Sequence, residues 1–390
     1  MPRQALKDRE LTGQEIVVQW RWRRSSAWSG AGAAATDQHK VPRSETAVGQ
    51  AGMAAAAVTV AGSPPSRIMP IPAWARPLIL VLAYGVGVPL VKLLEAFGQW
   101  PGVLSGLRAR AEARMAAKSQ EGMGFGDYLP TARDVVACSY FKSGTNWLMQ
   151  MTTQIAWRGR AEFEHIHDLV PWPDGPGAGT FYSIGLQDET PWRTSPTGLR
   201  VIKYHGLPSD VPYTEEARYV AVVRDPKSVC VSSYHFARAT VFGPLMPSPE
   251  HWAGYFMKPG FPLHDWAVHL AGWWAMRDRP NVLFLTYEEM VTDHPAAVRR
   301  LADFMGVQLT SDELDAVVLR SSFAYMKPIS HKFDFMKIIP WARPEGAMVR
   351  RGRQGASDEL LSPAMQARID DHFRAELLRL GCDFPYDEAF

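Results

Sequence analysis

The stretch S-Y-F-K-S-G-T-N-W-L-M-Q-M, Ser139–Met151, decides how the chain is read. It begins at the end of an apolar, β-branched run, DVVACSY. It then passes through Lys142, Ser143, Gly144, Thr145 and Asn146, and continues with apolar residues at helical spacing from Trp147. A short polar loop between a strand and the first turn of a helix presents unpaired backbone N–H groups and the positive end of the helix dipole. Such a loop suits an anion, above all a phosphate. Lys142 adds a compact charge, Ser143, Thr145 and Asn146 add side-chain donors, and Gly144 permits close backbone approach. The spacing is not that of a nucleoside-triphosphate loop, because the lysine precedes the glycine and the first glycine is missing.

The frame extends on both sides of this loop. Short β-rich runs at Val135–Tyr140, Leu199–Tyr204, Tyr219–Val223 and Val282–Leu285 alternate with helical patterns at Trp147–Trp157, Lys227–Phe236, Asp265–Arg277, Pro295–Met305 and Pro363–Leu380. Strands alternating with helices predict an α/β fold, a P-loop-like parallel sheet with helices on both faces, over residues 128–390.

Three further stretches carry residues suited to anion chemistry. In VAVVRDPKSVCVSSYHF, Arg224 leaves a strand at its carboxyl end, Asp225-Pro226 opens a helix, and Ser232 follows two turns on. An arginine fork and a hydroxyl in that position suit a second phosphate. In GLRVIKYHGLP, Lys203 and His205 stand at alternate positions where a strand ends. A histidine there, beside a cation, has the chemistry of a general base. MVRRGRQGASDE reads as a basic, glycine-containing loop. Each stretch taken alone also fits an ordinary capped turn, a structural histidine or a solvated charge run.

Together they resemble the sulfotransferases that use 3′-phosphoadenosine 5′-phosphosulfate, the cytosolic type most of all. YFKSGTNW is similar to that family's 5′-phosphosulfate loop and RDPKSVCVS to its 3′-phosphate motif. KYH is similar to the K-T-H that carries its catalytic histidine. LTYEEM, SSF and RRGRQG are similar to its two adenine-side segments and its closing loop. The resemblance implies a sulfuryl transfer with His205 as base and Lys142 and Lys203 as charge stabilisers. It implies donor contacts from Lys142, Ser143, Gly144, Thr145, Asn146, Trp147, Arg224, Ser232, Tyr287, Ser321, Phe323, Arg350, Arg351 and Gly352, with no metal required. Four departures stand out. Phe141 replaces the loop's proline, Asn146 its second threonine and Tyr204 the middle threonine of K-T-H, and Ala356-Ser357 follows Gly355 where Asp-Trp is usual. The family's C-terminal dimer motif has no counterpart, so the oligomeric state stays open.

The acceptor pocket is expected from residues between the first loop and KYH: Phe163, His165, His167, Trp172, Phe181 and Tyr182. Phenol, steroid, alkyl alcohol and glycolipid acceptors, small molecule or lipid, all stay open. A net charge of +2 over 390 residues argues against a nucleic-acid partner. The three cysteines are widely spaced and read as reduced thiols, which favours the cytoplasm. The competing readings are a P-loop-type nucleotide kinase and a non-catalytic nucleotide-binding relative.

The amino-terminal part differs in kind. Residues 1–70 are rich in Ala, Gly and Ser without a sustained period, and read as disordered, or as sequence ahead of a start at Met53 or Met69. Residues 71–127 hold an apolar stretch, PLILVLAYGVGVPLV, followed by a basic linker. The stretch reads as an interfacial or re-entrant anchor, as a short span extended to residue 94, or as a helix packed on the domain.

Overall fold

A computed structural model describes residues 74–99, 102–103, 106, 124–175, 183–259, 265–334, 348–350, 352, 355 and 357–390. Its centre is a four-stranded sheet of β1 (Asp134–Ser139), β2 (Arg200–Tyr204), β3 (Arg218–Val223) and β4 (Val282–Thr286) in the order β2-β1-β3-β4. All neighbouring strands are parallel. Every residue of β1 and β2 is buried, as expected of strands covered on both faces, which is why they read as continuous rather than alternating apolar runs. The strand and helix boundaries lie within a few residues of those read from the sequence.

Two apolar clusters lie against the sheet. One joins β1 and the helix Thr145–Ala156 to the helices His294–Met305 and Ser311–Arg320 through Leu148, Ile155, Leu301 and Val317. The other joins the helix Pro226–Ala237 to Pro249–Phe256, Trp266–Trp274 and Pro363–Arg379 through Val229, Trp252, Trp266 and Phe373. The strands begin at one edge of the molecule and end at the other. At the carboxyl edge, Ser139, Tyr204, Val223 and Thr286 hand the chain to the loops and helices that carry the sequence motifs.

Ahead of the domain, the helical segments Ala75–Leu82 and Val88–Ala96 run together through π-helical Ala83–Gly87. Pro77–Ala96 is 20 residues long with mean hydropathy 2.0, and only 11% of its most apolar window is buried. It does touch the domain. Val91 is buried in the second cluster, and a Cβ on Gly87 would stand 2.5 Å from Leu245. Glu95 accepts from the Ser248 backbone N–H, and the His251 Nε2 lies 3.2 Å from the Glu95 carbonyl. Residues 1–73 and the basic linker of residues 107–123 lie outside the described residues.

Candidate active site

The first loop closes tightly. Ser143 N–H donates to the Tyr140 carbonyl at 3.0 Å. Lys142 takes a φ of 67° and Gly144 one of 95°. A side chain at Gly144 would be strained, and its Cβ would lie 2.8 Å from the Tyr287 ring. Glycine is therefore required on two counts, conformation and space. The helix that follows has no side-chain cap at Gly144. By contrast, the helices that start after Asp225, Ser248, Asp265 and Thr310 are each capped by that residue's side chain. The Thr145 helix thus keeps its first backbone donors for something else.

Lys142 lies half-buried at the start of this loop. Burial, then the neighbouring Arg224 and Arg350, pull its ammonium down to about 7. Its Nζ lies 4.6 Å from the centre of the Phe236 ring. Arg224 lies over the Tyr287 ring at 4.2 Å and donates from Nη1 to the Lys142 carbonyl at 3.3 Å. Lys142 and Arg224 therefore stand together where the two motifs meet, close to Arg350. Ser143 Oγ and Arg224 Nε are buried without a hydrogen-bond partner. Leaving buried polar groups unpaired costs about 1–3 kcal/mol each. The uncapped helix, the orphaned hydroxyl and the orphaned guanidinium nitrogen fit two phosphate groups, one on each of the first two motifs. Ser232, part-exposed on the helix Pro226–Ala237, completes the second motif's positions.

A third group of residues forms the flat side of the cleft. Trp147 Nε1 donates to the Ser321 carbonyl at 2.8 Å, and its ring meets Tyr287 edge-on at 5.5 Å. Ser321 Oγ is spent on Val317 and His294. Phe323 remains 41% exposed, and its ring stands where a Cβ on Gly352 would fall, at 2.2 Å. Gly352 thus lies directly on Phe323. Arg350 forks onto Glu359 at 2.9 and 2.6 Å. Arg351 lies outside the described residues.

On the other side of β1, His205 Nδ1 lies 2.8 Å from the Ser139 carbonyl. A carbonyl only accepts, so Nδ1 carries the proton and Nε2 is the basic nitrogen of the ring. The His205 backbone N–H donates to Asp174 Oδ2 at 2.7 Å. Lys203 Nζ sits 3.2 Å above the Trp172 ring, and burial brings its ammonium down to about 7 although Asp174 draws it up. Burial raises the Asp174 carboxyl to about 6, against the pull of the His205 N–H and of Lys203.

Of the residues expected to line an acceptor pocket, Trp172 meets His205 edge-on at 5.7 Å. His165 stands two rings away, through His167 at 5.5 Å and the His167–Trp172 stack at 5.4 Å. It also caps a short turn through the His167 N–H and lies 3.1 Å from the Asp334 carbonyl, so it is a buttress of that ring row. Phe163 packs on Phe333 at 5.9 Å in the first core cluster. Phe181 and Tyr182 lie outside the described residues. Asp174 and Phe236 lie beside these groups and were not picked out from sequence, whereas His167 stands among the residues expected there. PWPDGPG reads as a turn, and only its return to the end of β2 gives its carboxylate a purpose. Among the described residues no group of His, Cys, Asp and Glu is arranged to hold a metal ion.

Comparison with known proteins agrees with this geometry. Residues 132–381 match the model of the sulfotransferase domain. The chain is 28% identical to rabbit (Oryctolagus cuniculus) sulfotransferase 1C2 over 264 residues, 64% of this chain and 85% of that one. It is 29% identical to rat (Rattus norvegicus) sulfotransferase 2B1 over 266 residues, 66% and 74% of the two chains. In fold it is similar to mouse sulfotransferase SULT7A1 complexed with PAP, with TM-score 0.52, 21% identity and coverage of 70% and 92%. It is also similar to retinol dehydratase in complex with androsterone and PAP, with TM-score 0.53, 22% identity and coverage of 66% and 84%. An uncapped phosphate loop, an orphaned arginine one strand away and a match spanning most of the α/β region converge on one conclusion: the chain belongs to the sulfotransferase family and is an enzyme dependent on 3′-phosphoadenosine 5′-phosphosulfate.

Proposed function

We propose that the enzyme moves the sulfuryl group to a hydroxyl of an apolar small molecule or lipid, with His205 as general base. The observation that carries this is the double use of Ser139. Its carbonyl fixes His205, and its hydroxyl lies 2.7 Å from Thr145 Oγ1 at the head of the phosphate loop. Base and donor loop thus hang from one strand end, which suits the fixed positioning that an in-line displacement needs. The phosphosulfate donor supplies the activated sulfur–oxygen bond. His205 Nε2 takes the acceptor's proton. Lys203, held over Trp172, meets charge on the transferring group, and Lys142 meets it on the departing phosphate side. Arg224, Ser143 and the first turn after Gly144 hold the donor's phosphates. Trp147, Tyr287 and Phe323 face its base. Retinol dehydratase, similar in fold, is bound to PAP with androsterone or with retinol, which supports an apolar alcohol here.

We place the enzyme at the cytoplasmic side of a membrane, through the apolar helix ahead of the domain. That helix is about 30 Å long, the depth of a hydrocarbon core, and largely uncovered.

His205→Ala tests the mechanism. Turnover should fall by about 10²–10⁴-fold, the usual share of a general base. Affinity for adenosine 3′,5′-bisphosphate, measured by calorimetry, should stay within about twofold of the native value. A mutant that keeps native turnover removes His205 from the mechanism. ATP with magnesium stabilising the native protein in a thermal-shift assay, with no shift from the bisphosphate, would favour the kinase reading.

A further inference from the structure

We propose that the acceptor is a lipophilic alcohol dissolved in a bilayer. It reaches His205 laterally, along a wall that begins at the apolar helix and ends at Phe141. The inference rests on the sulfuryl-transfer reading above and narrows its acceptor.

The helix gives the occupant of its surface. Leu82 and Tyr84 are 55% and 62% exposed, and Val86 62%. Residues two apart on a helix point in nearly opposite directions. Leu78, Val81, Leu90 and Leu93 are exposed as well. A second copy or a partner helix would cover one stripe of this surface. Hydrocarbon covers all of it. Lys92 and Arg238, both exposed, stand where the helix meets the domain and suit a headgroup layer.

This helix touches the catalytic domain directly. Val91 is buried in the second core cluster, Gly87 lies against Leu245, and Glu95 holds Ser248 and His251. The bilayer therefore lies close to Gly243–Leu245. From there the chain runs back through π-helical Arg238–Phe242 to the last turn of Pro226–Ala237. Thr240 Oγ1 ties this turn to the Phe236 carbonyl at 2.7 Å, and Val241 is 46% exposed. The Phe236 ring meets Phe141 at 5.3 Å, and Phe141 meets His205 at 6.5 Å. From Phe236 to Pro247 the sequence FARATVFGPLMP holds one charge, Arg238, and no carboxylate. Phe141 is also the residue that stands where the family's loop has proline. The side of the domain next to the membrane helix is thus the apolar side of the base.

The full chain would be incubated with labelled donor and two acceptors, hexadecanol in phosphatidylcholine vesicles and 2-naphthol in solution. At constant bulk hexadecanol, a tenfold increase in phosphatidylcholine should lower its sulfation by about tenfold, since a surface reaction follows mole fraction. The naphthol rate should not move. Leu82→Asp should abolish flotation with vesicles and lower the hexadecanol rate at least tenfold, with bisphosphate affinity unchanged. Val241→Asp should keep flotation and still lower the hexadecanol rate. Hexadecanol product without naphthol product supports the proposal. A hexadecanol rate indifferent to mole fraction, naphthol product alone, or equal losses on both acceptors in Leu82→Asp overturns it and leaves sulfuryl transfer intact. No product from either acceptor, with the bisphosphate still bound, would overturn the transfer reading instead.

Discussion

The two edges of the sheet carry buried charge of opposite character. At the amino edge, Asp134 and Arg200 are paired in register on β1 and β2 and are essentially sealed from water. Asp134 Oδ1 accepts from Arg200 Nε and Nη2 at 3.0 and 2.9 Å, and Oδ2 from the Thr131 N–H at 2.8 Å and from Tyr128. Arg200 Nη1 donates to the Leu186 and Asp188 carbonyls at 2.7 and 2.9 Å. At the carboxyl edge, Lys142, Lys203 and Arg224 gather while Ser143 Oγ and Arg224 Nε have no partner among the described residues. One edge is complete in itself and the other is complete only around an anion. Binding capacity here is stability withheld from the free protein.

That contrast is most easily broken at the closed edge. Arg200→Ala strands Asp134 in the core and should destabilise the fold by about 3–5 kcal/mol, read as a fall in the denaturant midpoint at unchanged slope. Arg224→Ala at the open edge should do the reverse. The midpoint should move little, while bisphosphate affinity drops by about 1.5–3 kcal/mol, roughly 10- to 150-fold by calorimetry.

A smaller effect sharpens the comparison further. The Lys142 ammonium is held near 7 in the fold, below its ordinary value of 10.5. Between those values the unfolded chain binds the extra proton, so this residue's contribution to stability rises with pH from about 7 and its penalty is complete below 7. Lys142→Met should therefore stabilise the ligand-free protein by about 1 kcal/mol at pH 6 while weakening bisphosphate binding. For the native protein, bisphosphate affinity should be flat below pH 7 and fall above it, because binding must then take up a proton. Smallest is Asp174→Asn. Asp174 draws the Lys203 ammonium upward, so the amide should move the alkaline limb of kcat to lower pH, with KM for the donor little changed.

Much of the open edge was legible in the sequence because its motifs are local. A strand, a few loop residues and the next helix turn hold Lys142 with Ser143, or Arg224 with Ser232, whatever the rest of the chain does. The contact of Trp147 with Tyr287 and Ser321 was also readable, since each lies beside a recognisable segment end. What escaped was held by return paths. Asp174 reaches β2 from a proline-rich turn, and Phe236 faces Phe141 only because two helices start from adjacent strands. Asp134 and Arg200 look like solvated residues at strand starts; their burial follows from the cover given by Tyr128 and the turn at Leu186–Asp188, which no period in the sequence announces. The tie between Glu95 and Ser248 joins residues far apart in sequence and brings the apolar helix onto the domain, which no local pattern announces.

The grip of Ser139 on His205 has a consequence for product identity. In the mechanism proposed above, the ring's proton is locked against a main-chain carbonyl and the donor loop springs from the next residues, so the gap between the proposed base and the donor is a fixed ruler. Acceptors of different bulk can differ in how their bodies lie along Phe141 and Trp172, yet each must bring its oxygen to the same point. A diol with one hindered and one open hydroxyl should therefore yield a single regioisomer, with shape selecting among molecules and the strand end selecting the atom.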